Sequence, residues 1–83
     1  MKYTVVKGTS IHRAYIEQPD GKRKVIALFG TVCDLAAKNI IFLEGKPVTQ
    51  KWIVLFQNQE HSTPEYDSKE QCKQIIENRF PEQ

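Results

Sequence analysis

Lys51-Trp52-Ile53-Val54-Leu55-Phe56-Gln57 is the stretch whose reading decides the fold. It holds the chain's single tryptophan and an unbroken apolar run with polar residues at both ends. The run is short for a helix and rich in β-branched and aromatic side chains, which suits a strand buried on both faces. The expectation is a central strand with the other elements packed around it.

Downstream, Ser68-Lys69-Glu70-Gln71 has the form of a capping box, with serine at the N-terminus of a helix and glutamine three residues on. Asp67 and Glu70 favour the positive end of the helix dipole. Cys72, Ile75, Ile76 and Phe80 recur at helical spacing and mark one apolar face, and Pro81 stops the helix. The spacing predicts a helix over 68–80, lying on the sheet near Trp52, Val54 and Phe56.

Upstream, residues 2–7, 11–18 and 23–29 read as strands. Gly8-Thr9-Ser10 is a turn between the first two, and Pro19-Asp20-Gly21-Lys22 joins the next two as a hairpin. Residues 31–43 admit two readings. Thr31 as N-cap with Asp34 three residues later predicts a helix over about 32–43, ended by Gly45 and Pro47. In the alternative, Ile40–Leu43 is a strand paired with Trp52–Gln57. The resulting fold class is α+β, a single domain over 1–83 with an antiparallel sheet of about four strands. A C-terminal helix (68–80) and a second helix (32–43) are expected on one face.

The totals are those of a folded chain: 83 residues, 40% hydrophobic and 27% charged. No apolar run approaches the roughly 20 residues that span a bilayer, and the N-terminus lacks the apolar core of a secretory signal. The expectation is a cytoplasmic protein with no membrane partner. In that compartment Cys33 and Cys72 are expected as free, partly buried thiols.

Catalytic and metal chemistry find little footing. His12 falls in a strand and His61 in a loop, and neither lies at a spacing that pairs it with a cysteine. The run Glu60-His61-Ser62-Thr63-Pro64-Glu65-Tyr66-Asp67 groups a histidine with carboxylates, a composition that a solvated loop shares. The glycines fit neither phosphate-binding pattern. The expectation is a non-enzyme with no cofactor, no catalytic residue and no metal.

The charge is uneven. Residues 1–25 carry six basic against two acidic side chains, and residues 59–83 carry three against six. Lys7, Arg13, Lys22, Arg23 and Lys24 are the candidate nucleic-acid contacts, with Tyr3 and Tyr15 available for base stacking if they face outward. Charged residues at a hairpin tip equally serve solubility and edge protection.

Trp52-Ile53-Val54, a loop, then Tyr66-Asp67-Ser68-Lys69-Glu70-Gln71-Cys72 is similar to the strand–loop–helix ending of the small AP2-like and integrase arm-binding DNA domains. The similarity covers about residues 51–80. It does not extend to the arginine-bearing strands that touch DNA in those domains, so no family membership is drawn.

The expected function is protein–protein interaction by a small binding module, of the kind common among phage and mobile-element accessory proteins. A second copy of the chain is one candidate partner, since a small core leaves a sheet face or edge to cover. Nucleic acid bound through the basic hairpin is the alternative.

Overall fold

Four antiparallel strands form one sheet in sequence order, and a computed structural model describes them within residues 1–57 and 64–80. The strands are β1 (Lys2–Val5), β2 (His12–Glu17), β3 (Arg23–Thr31) and β4 (Trp52–Phe56). Two helices complete the chain, α1 (Val32–Ala37) and α2 (Lys69–Arg79). The class is α+β, as the patterning implies.

The register sorts side chains onto two faces, because neighbours along a strand point to opposite sides. Tyr3, Ala14, Ala27 and Phe56 form one row across the sheet; Val5, His12, Phe29 and Val54 form the next on the same face. There α2 lays down Cys72 and Ile76, both fully buried, against Phe29 and Val54. Tyr3 packs edge-on to Phe29 at 5.8 Å, and its hydroxyl donates to Glu77 of α2 at 2.5 Å. Thr4, Arg13, Leu28 and Leu55 occupy the opposite face. One end of that face carries a second core of Ile11, Val32, Leu35 and Ile53.

Three expectations are corrected. The Trp52–Phe56 strand is not central: it lies at the sheet's edge, and β3 stands inside it. A continuous apolar run reports that both faces are covered, not that both edges are paired. Val54 faces α2, while Ile53 faces the α1 cluster. The strand's outer edge is closed at one end, where Trp52 and Tyr66 exchange backbone hydrogen bonds of 2.8 and 2.7 Å.

The helices do not share a face. Leu35 of α1 packs with Ile53, whose neighbour Val54 lies under α2, so the sheet separates them. Finally, α1 stops at Ala37 instead of reaching 43. Asn39 takes a left-handed conformation at φ 59°. Its N–H bonds the Ala36 carbonyl at 3.0 Å, and the Ile40 N–H bonds that of Leu35 at 2.9 Å. This pair of bonds is the Schellman closure of a helix C-terminus. Residues 40–43 are therefore neither helix nor strand.

Both expected caps form, with altered partners. Ser68 Oγ accepts from the Gln71 N–H at 3.3 Å, but Gln71 reaches back to the Asp67 N–H at 2.7 Å, one residue before the cap. Thr31 Oγ accepts from the Asp34 N–H at 3.2 Å. The Asp34 carboxylate turns instead to Ser10, accepting from its N–H at 2.7 Å and its hydroxyl at 2.6 Å. Those bonds tie the β1–β2 turn to the start of α1 and hold the Asp34 carboxyl below its ordinary range.

Candidate interaction surface

The chain from Asn39 to Val48 is an irregular, mostly exposed loop, here called the finger, between α1 and β4. Its root is clamped: the Val32 N–H bonds the Lys51 carbonyl at 2.9 Å, and the Cys33 N–H bonds that of Thr49 at 3.1 Å. Its tip is a tight turn with Glu44 at φ 51° and Gly45 at φ 87°, closed by the Lys46 N–H on the Leu43 carbonyl at 2.9 Å. Positive φ at both central positions is the hairpin type of turn. Pro47 lacks an N–H, however, and no ladder joins the two arms.

Alternation along the first arm makes the surface. Ile41 and Leu43 pack onto the Ile11–Leu35 core, which leaves Ile40 and Phe42 pointing away. Phe42 is 78% exposed, Val48 57% and Ile40 38%. Phe42 is the most exposed of the large apolar side chains among the described residues, on a surface where singly exposed apolar residues are ordinary. Lys38, Glu44 and Lys46, all exposed, lie near the three in the sequence. Sequence reading missed this surface. Its signals were Asn39, able to end the helix in the left-handed region, and the Glu44-Gly45 turn ahead of Pro47.

The basic candidates do not gather into one patch. Lys22, Arg23 and Lys24 are exposed at the β2–β3 turn, whereas Lys7 lies beyond the opposite end of β2, a strand length of roughly 17 Å away. Lys24 pairs with Ile16 and Arg23 with Glu17, adjacent positions that project to opposite faces. Arg13 is exposed on the face away from α2. The Arg23 guanidinium lies 4.8 Å from the Tyr15 ring centre, and Tyr15 is itself buried. Tyr3 is bound to Glu77 and lies beneath the Lys73 ammonium at 4.9 Å. Neither tyrosine presents an open face for a base.

The reactive side chains are placed as structural ones. His12 stacks on Phe29 with ring centres 4.9 Å apart, and its Nδ1 lies 2.8 Å from the Ser10 carbonyl. Cys33 and Cys72 form no disulfide. Cys33 is partly exposed, whereas burial pushes the Cys72 thiol up to about 11. Glu60 and His61 lie outside the described residues. Among the described residues no three His, Cys, Asp or Glu side chains converge as a metal site would need, and no helix is long and apolar enough to cross a membrane. Comparison with protein-family models, curated proteins and solved structures finds no match to this chain.

Proposed function

We propose that this chain is a small non-enzymatic module acting through protein–protein interaction, and that the Asn39–Val48 finger is the surface it uses. The observation that carries the reading is Phe42, held away from the core at 78% exposure on a loop clamped at its root and turned at its tip. Aromatic anchors presented on pre-ordered backbone supply much of the energy of protein interfaces, because little side-chain freedom is lost on docking. The non-enzymatic part is supported by the engagement of His12, Asp34 and Cys72 in packing and hydrogen bonds.

Affinity capture with wild-type and Phe42→Ala baits tests the reading. A partner retained by the first and lost by the second is the expected result, since truncating an anchor costs about 2 kcal/mol or more. A set of partners indifferent to Phe42 would remove the finger from consideration.

The exposed Lys22, Arg23 and Lys24 favour a second reading, nucleic-acid binding at the hairpin tip. Contacts to phosphate without base stacking weaken steeply with salt. A mobility shift with short mixed-sequence DNA that persists at high salt would argue against that reading, as would the absence of any shift.

A further inference from the structure

We draw no further inference here: the strongest candidate, the cluster of Lys2, Arg13 and Arg23 on the sheet face away from α2, has Lys2 tied to Glu17 at 2.6 Å and the Arg23 guanidinium seated 4.8 Å from the Tyr15 ring centre, and nothing in the structure shows what covers that face.

Discussion

Asp34 shows how a single side chain can be legible in type and illegible in partner. Its position three residues after Thr31 marks a helix start, and the cap forms. Nothing local indicates that its carboxylate will bind Ser10, 24 residues earlier in the chain, because only tertiary structure brings the β1–β2 turn alongside α1. Two hydrogen bonds from Ser10 lower the Asp34 pKa, with smaller help from Thr31 and Lys38. A carboxyl depressed in the folded state stabilises above its unfolded pKa, about 3.9, and the contribution fades as pH falls through the lower folded value. Wild-type urea midpoints should therefore exceed those of Asp34→Asn at neutral pH, and the gap should close as pH is lowered past 4 toward that value; a gap independent of pH would mean that charge plays no part. The cysteines differ by the same logic of surroundings. Cys72 is fully buried with its thiol pKa raised, while Cys33 is partly exposed. A thiol reagent applied to the folded protein should modify Cys33 first, and Cys72 only at the rate of opening.

Among the elements, those set by strong local signals were readable: α2 from its cap and apolar spacing, the β2–β3 hairpin from Pro19-Asp20-Gly21. The weak point was the stretch after Thr31, where Ile40–Leu43 continues apolar character past the end of the helix. Asn39 decides the matter by turning left-handed, a choice that a run of apolar residues conceals. Asn39→Ala should cost about 1 kcal/mol, since a Cβ-bearing residue without asparagine's local hydrogen bonding resists positive φ, whereas Asn39→Gly should be close to neutral. Chemical denaturation of the two variants checks the difference; equal losses would mean that the asparagine side chain, not its backbone, holds the terminus. The edge position of β4 was unreadable for another reason. Burial on both faces produces the same sequence whether a strand has one neighbour or two, and here α2 and the α1 cluster bury it from opposite sides.

At the scale of the whole molecule, the class was written in the alternation of strands and the C-terminal helix, but the candidate site was not. A surface made by placing Ile41 and Leu43 inward leaves Phe42 outward, and residue types alone do not say which of four adjacent apolar side chains will be excluded. The same holds for the basic residues, close in sequence yet divided between two faces and two ends by a meander. That meander pairs each strand with its neighbour in the chain, so only the excursion from Thr31 to Trp52 and the docking of α2 close long loops. Because α2 and β4 share one buried cluster with Phe29, unfolding in urea should be a single transition by every probe. Separate midpoints for helix content and tryptophan emission would show that the C-terminal part melts on its own. Trp52 has a further consequence. Its ring lies 6.2 Å from His12 and 6.3 Å from Phe29, so the molecule's only indole sits where the long excursion rejoins the sheet. The protein thus carries a built-in optical reporter of the closure that brings β4 onto β3, and stopped-flow fluorescence on the unlabelled chain can time it.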